Sequence, residues 1–205
     1  MADTHTRRID LAGRVVIPGI NDSHFHHTPD PRASVLQFTS MEPRWEEVLD
    51  KVAAAAKEAP QGTWILGTHG ISVVNDPRAT RFDLDSVAPN HPVRLNAYFG
   101  HGSVYNSTAL AAPDVSEEEP DTLGGCCERL EGSKRITGKL FGYAQWRPWS
   151  RLAQVASHAE VIASTQQLAE RAVRFGVTSI QNMTLLPVRR SCRRWSGRSC
   201  RCGFA

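Results

Sequence analysis

The sequence predicts an α/β fold, on three observations. Val15, Val16 and Ile17 form a β-branched apolar run that ends at Pro18-Gly19, the pattern of a buried strand followed by a bend. Residues 155–175 place Val161, Ile162, Leu168, Ala169, Ala172 and Val173 on one stripe at helical spacing. Gly176 then closes that helix, and VTSIQ (177–181) follows as a strand, so helix, glycine and strand make the αβ half of a repeating β/α unit.

The remaining elements follow in chain order. Residues 9–17 read as extended, with a turn at Ala12-Gly13, and Asp30-Pro31-Arg32 is a further turn. Trp45, Val48, Leu49 and Val52 recur at helical spacing and an Ala run follows, which predicts a helix over 42–59 stopped by Pro60-Gln61-Gly62. Residues 63–67 are a short strand and Asn75-Asp76-Pro77 a turn. Thr80 is the N-cap of a short helix over 81–87, Val93 opens a strand over 93–98, and Asn106 precedes a helix over 107–112. Residues 114–134 are acidic, rich in Pro and Gly, and weakly patterned, which predicts a surface excursion. Residues 136–144 show no single period.

With 205 residues, 40% hydrophobic and 22% charged, the chain has the composition of a soluble globular protein with a real core. No apolar run approaches the roughly 20 residues that cross a bilayer, so no membrane partner is expected. The opening MADTHTRRIDLAG has no apolar signal core, and the expected location is cytoplasmic. The net charge of +3 is local: residues 188–205 hold six Arg and no acid, and without them 18 basic face 21 acidic side chains, −3. That balance, with no matching motif, argues against nucleic acid as a partner. Five cysteines without regular spacing give no disulfide framework, and the neighbours Cys126 and Cys127 read as two thiols in a Gly-rich loop.

The chemistry-bearing stretch is GRVVIPGINDSHFHH, residues 13–27. In extended backbone residues i and i+2 share a face, so His24 and His26 aim two imidazoles at one point while Phe25 turns away. Two neutral imidazoles are a half-site for zinc or a related divalent ion. Asp22 either orients one imidazole from behind or makes an Asx-type turn. His27 points the other way and reads as solvated, as does Lys139.

These residues resemble the amidohydrolase superfamily, and more narrowly amidohydrolase family 3, which includes N-substituted formamide deformylases. The resemblance runs through GRVVIPGINDSHFH, TWILGTHG (63–70), RFDLDSVAPNHPVRL (81–95), GHGSVYNSTAL (100–110), TGKLFG (137–142) and FGVTSIQNM (175–183). It implies the N-terminal portion, residues 1–187, of a TIM-type (β/α)8 metal-dependent hydrolase barrel, incomplete here and carrying the excursion as an insertion. It also implies hydrolysis of a C–N, amide-type bond in a small-molecule substrate through a metal-activated water. His24 and His26 carry over as metal ligands, with a divalent metal, Zn first, as cofactor. His101 and Asn106 match the GHxxxxNSxAL block and carry over as substrate-binding residues, the alternative being a loop histidine before an Asn helix cap. His69 is a weaker candidate of the same kind. The pattern TGxLxE departs here, because Gly142 stands where many relatives carry Glu.

Residues 188–205, rich in Arg and Cys, have neither periodicity nor acids and read as a disordered or out-of-frame tail. The alternative function is therefore a truncated or frameshifted, non-catalytic fragment of such an enzyme.

Overall fold

Strands form where the chain alternates or concentrates β-branched and aromatic residues, and the longest sheet is built from several such runs. A computed structural model describes residues 5–28, 32–112 and 114–184; the tail expectation lies outside them. The order is β1 (Ile20–Phe25), β2 (Ala33–Val35), α1 (Trp45–Glu58), β3 (Trp64–His69), α2 (Ile71–Asn75), α3 (Arg81–Val87), β4 (Val93–Ala97), β5 (Gly102–Tyr105), α4 (Ser107–Ala111), β6 (Gly125–Arg129), β7 (Ile136–Gly142), a 3-10 turn at Tyr143–Gln145, α5 (Trp146–Val155), α6 (His158–Arg174) and β8 (Val177–Asn182). This is a mixed α/β fold.

The described residues divide into two compact units, one of residues up to His27 with Gln166–Thr184, the other of Thr28–Thr165. The second holds a six-stranded sheet in the order β2-β3-β4-β5-β7-β6. Strands β2, β3 and β4 run parallel, joined by helical crossovers, while β5, β7 and β6 are antiparallel. Ile65 in β3 and Leu95 in β4 are fully buried, and α1 lays Trp45, Val48 and Val52 into the same core. Trp45 buries its ring and donates Nε1–H to Asp83 Oδ2 at 2.9 Å, so its one polar atom is satisfied. A second cluster of Tyr105, Leu110, Ile136 and Leu140 sits under the antiparallel half.

The first unit contains β1 and β8 as a parallel pair. Gly176 (φ +75°) lets α6 turn directly into β8, as its position after the helical stripe predicts.

Three sequence expectations need correction, and one strand forms where no element was assigned. The strand expected over 9–17 forms later: β1 starts at Ile20, and Val15, Val16 and Ile17 are 85%, 72% and 67% exposed rather than buried. A further strand, β5, fills the gap between the expected strand over 93–98 and the expected helix over 107–112, because Ser103 to Tyr105 pair across a tight turn with β4. The Gly-rich loop read at Cys126 and Cys127 is strand β6, which lies inside the excursion and pairs with β7. Lys139 is only 3% exposed rather than solvated: its Nζ donates to Asp76 O at 2.7 Å with Glu128 Oε1 3.9 Å away. These partners satisfy a buried ammonium that burial nonetheless pushes below the ordinary lysine value.

Candidate metal centre

His24 and His26 lie at the end of β1, and the local backbone explains their convergence. Between Asp22↔Ile180 and Phe25↔Asn182 the β1 strand spends one residue more than β8, so a bulge falls at Ser23-His24 and re-aims the strand end. The Met183 N–H donates to Phe25 O at 2.7 Å. Asn182 grips His27, directly after the His24/His26 pair, twice, accepting His27 N–H at Oδ1 (3.0 Å) and donating Nδ2–H to His27 O (2.9 Å). The two imidazoles emerge with Nε2 atoms 3.1 Å apart, ring centroids 5.0 Å apart and planes at 63°. Two neutral imidazole nitrogens this close are donors that one divalent ion would accept. The donor pair therefore fits one divalent ion as a half-site. Among the described residues no group of three or more His, Cys, Asp or Glu comes together.

Asp22 meets His24 through the backbone: its Oδ1 accepts His24 N–H at 3.2 Å. This is the Asx-type bond of the two readings open to it. The carboxylate braces the bulge at Ser23-His24 that presents the imidazole.

His101, in the second unit, occupies the turn between β4 and β5 and is exposed. Gly100 adopts φ +78° and donates its N–H to Ala97 O at 2.9 Å, closing the turn. Asn106 is fully buried and committed to backbone. Its Oδ1 accepts Ala109 N–H and Val93 N–H, both at 2.9 Å, and its Nδ2 donates to His91 O at 2.8 Å and Ala88 O at 3.2 Å. The side chain caps α4 and ties three segments together, which leaves His101, not Asn106, facing outward from this block.

His69 ends β3 and is 1% exposed, with Nδ1 against Gly70 O at 2.8 Å. Burial holds its imidazole below the ordinary histidine value. Beside it Glu42 accepts Ile71 N–H and Ser72 N–H at 3.1 and 2.7 Å, and those bonds, the Ser72 backbone first, hold its carboxyl below the usual range. A side chain at Gly70 would collide with that carboxylate.

Cys126 and Cys127 cannot chelate together. Neighbours in a strand face opposite sides, and here Cys126 is exposed while Cys127 is buried. Burial raises both thiols, Cys127 to about 11, so neither is a thiolate at neutral pH.

Sequence reasoning missed Gln145, which is fully buried in the 3-10 turn before α5. Its Nε2 donates to Gly100 O at 2.5 Å and its Oε1 accepts from Ser103 Oγ at 2.6 Å. The segment FGYAQW carries no period and no paired chemistry, so nothing in the sequence marks this residue.

The N-substituted formamide deformylase of Arthrobacter pascens is 30% identical over 165 residues, 72% of this chain and 30% of that protein. The putative amidohydrolase YtcJ of Bacillus subtilis (strain 168) is 29% identical over 142 residues, 68% of this chain and 27% of that protein. The Protein LONG AFTER FAR-RED 3 of Arabidopsis thaliana is 29% identical over 187 residues, 85% and 30% respectively. The chain thus spans less than a third of the length of these relatives. A solved structure of an uncharacterized metal-dependent hydrolase from Pyrococcus horikoshii OT3 aligns with a TM-score of 0.48 at 16% identity, covering 81% of this chain and 31% of that one. Residues 7–191 match the model of the Amidohydrolase family, and the chain belongs to that family.

Proposed function

We propose that this chain carries the first metal-binding strand of a metal-dependent amidohydrolase that cleaves a C–N, amide-type bond in a small molecule. The observation that carries the reading is the His24/His26 pair, with Nε2 atoms 3.1 Å apart at the end of a parallel strand, in a chain of this family. Strands β1 and β8 pair side by side and parallel, as consecutive strands of a TIM-type barrel would, which supports the reading. His24 and His26 would hold a divalent ion, Zn²⁺ by the preference of imidazole nitrogen. When bound, the ion supplies the charge that acidifies a water and polarises an amide carbonyl. Asp22 and Asn182 keep the strand end in the geometry that aims both rings. His101 is proposed to hydrogen-bond the amide substrate, and Asn106 to hold the segment that presents it.

Zinc affinity measured by calorimetry tests the assignment, in a Cys192→Ser, Cys200→Ser, Cys202→Ser background that removes competing thiols. The expected result is one site per chain that is lost in H24A/H26A. Equal binding by both proteins overturns it.

A second reading has its own observation: no third donor joins the pair among the described residues. The chain then binds the ion without turnover, since catalytic zinc takes three protein ligands and an open position. Turnover of N-formyl and N-acyl amides with Zn²⁺, Mn²⁺ or Co²⁺ separates the two readings: measurable hydrolysis lost in H24A/H26A selects the enzyme, and its absence beside intact zinc binding selects the fragment.

A further inference from the structure

The turn that carries His101 is pinned from behind by one side chain on both flanks. Gln145 donates Nε2–H to the carbonyl of Gly100, the residue before His101. Its Oε1 accepts a hydrogen bond from the hydroxyl of Ser103, two residues after His101. Ser103 is 2% exposed and also lies 3.0 Å from Asn96 Oδ1 on the facing strand, so the clamp reaches into the β4–β5 ladder. The Gly142 N–H adds a longer bond of 3.4 Å to His101 O. A fully buried carboxamide satisfies its own donor and acceptor only if the turn stays where it is, and leaving either unpaired in a dry site is costly.

We propose that Gln145 is a positioning residue: it fixes the turn 97–102 so that the His101 imidazole is held outward, ready to hydrogen-bond an amide-type substrate. The substrate half of this statement rests on the proposed role of His101; the clamp itself does not. The chemistry asks for an amide at position 145. One donor must face the Gly100 carbonyl and one acceptor the Ser103 hydroxyl, from a side chain of this length. A carboxylate has the shape but no donor, and it meets the Gly100 carbonyl with like polarity. A neutral carboxylic acid has both groups again.

The test is amide hydrogen exchange on the full chain, read as protection factors so that the intrinsic effect of pH cancels. Gln145→Met keeps the volume and removes both bonds. In Q145M the Gly100 and Gly142 amides, which donate to Ala97 O and His101 O, are expected to lose protection about tenfold. Amides of Val48 and Val52 in α1 are expected to stay as in the parent chain. Gln145→Glu supplies the signature that a merely structural residue lacks. Because burial raises a carboxyl group's pKa, Q145E is expected to keep the turn protected at pH 5 and lose it at pH 8, while the parent shows no such change. Unchanged Gly100 and Gly142 protection in Q145M overturns the proposal. So does an equal loss throughout α1, or a Q145E response that ignores pH. Should Q145M fail to fold, Q145E at the two pH values decides alone. Titrating N-methylformamide while following the His101 amide resonance separates the two layers. A response in the parent that weakens in Q145M supports both. A clamp that behaves as described, with no response in either protein, retains Gln145 as the support of the turn and removes His101 from the substrate site.

Discussion

Asn106 shows how far one side chain can be read before a structure exists. The NSxAL spacing marks it as an N-cap, and it is one: Oδ1 accepts the Ala109 N–H. The sequence gives no sign that the same oxygen takes Val93 N–H or that Nδ2 bonds Ala88 and His91, because those partners come together only through tertiary packing. Asn106→Ala strands several buried backbone groups at once, so a loss of about 2–4 kcal/mol is expected, above the roughly 1 kcal/mol of a lone cap. Urea unfolding checks it, and a loss under about 1 kcal/mol would refute the multiple-bond account. His69 makes a pH prediction at the same scale. Its folded pKa is depressed by burial, so the unfolded imidazole takes up a proton near pH 6.5 while the folded one stays neutral to lower pH. Stability is therefore complete above about pH 6.5 and falls as pH drops from there, by at most about 2 kcal/mol down to pH 5. Unfolding free energies of the parent and His69→Gln across pH 5–8 should diverge in slope in that window alone. The lowered carboxyls of Asp76, Glu117 and Asp121 act below about pH 4.5 and leave it clear.

Among the elements, those with a strong local period were legible and those made by partners were not. The 81–87 helix, and α6 with Gly176 and β8, were read within a few residues because stripe, glycine and β-branched run all lie in one window. Strand β5 hides because glycines flank His101, and β7 because its first five residues are buried without alternating. The metal-site elements divide the same way: the i, i+2 spacing of His24 and His26 is local, whereas the bulge and the Asn182 grip that aim them depend on a strand more than 150 residues away. The departure at Gly142 also resolves at this scale. Its φ of +52° is left-handed, and a Cβ there would run into Gly124 O, so this strand end accepts no side chain. Gly142→Glu, which restores the TGxLxE pattern, is expected to destabilise by about 2–4 kcal/mol in urea unfolding. Gly62→Ala, also at positive φ but with open space around it, is the control and should cost about 1 kcal/mol. Equal costs in the two variants would mean that backbone strain, and not the packed strand end, is what excludes Glu.

For the molecule as a whole, the buried cores and the proposed metal pair belong to different units. Both core clusters belong entirely to residues 28–165. In the other unit no described residue is buried, although it contains Val15, Val16, Ile17, Ile20, Phe175 and Met183. A parallel pair such as β1 and β8 is stable in known folds only when further strands and helices cover it, since a two-stranded sheet is marginal in water. Cooperative unfolding tracks the residues that bury apolar surface. A chain of residues 28–165 is therefore expected to fold alone and to unfold in urea within about 1 kcal/mol of the full chain, with its sheet amides dispersed as in the parent. The β1 and β8 amides of the full chain should exchange by local opening, well before those of β3 and β4. Saturating Zn²⁺ should slow exchange in β1 and leave β3 and β4 unchanged, because a ligand stabilises only the states that bind it. Failure of residues 28–165 to fold, or zinc protection spread evenly over both units, would show that the His24/His26 strand and the six-stranded sheet are one cooperative body.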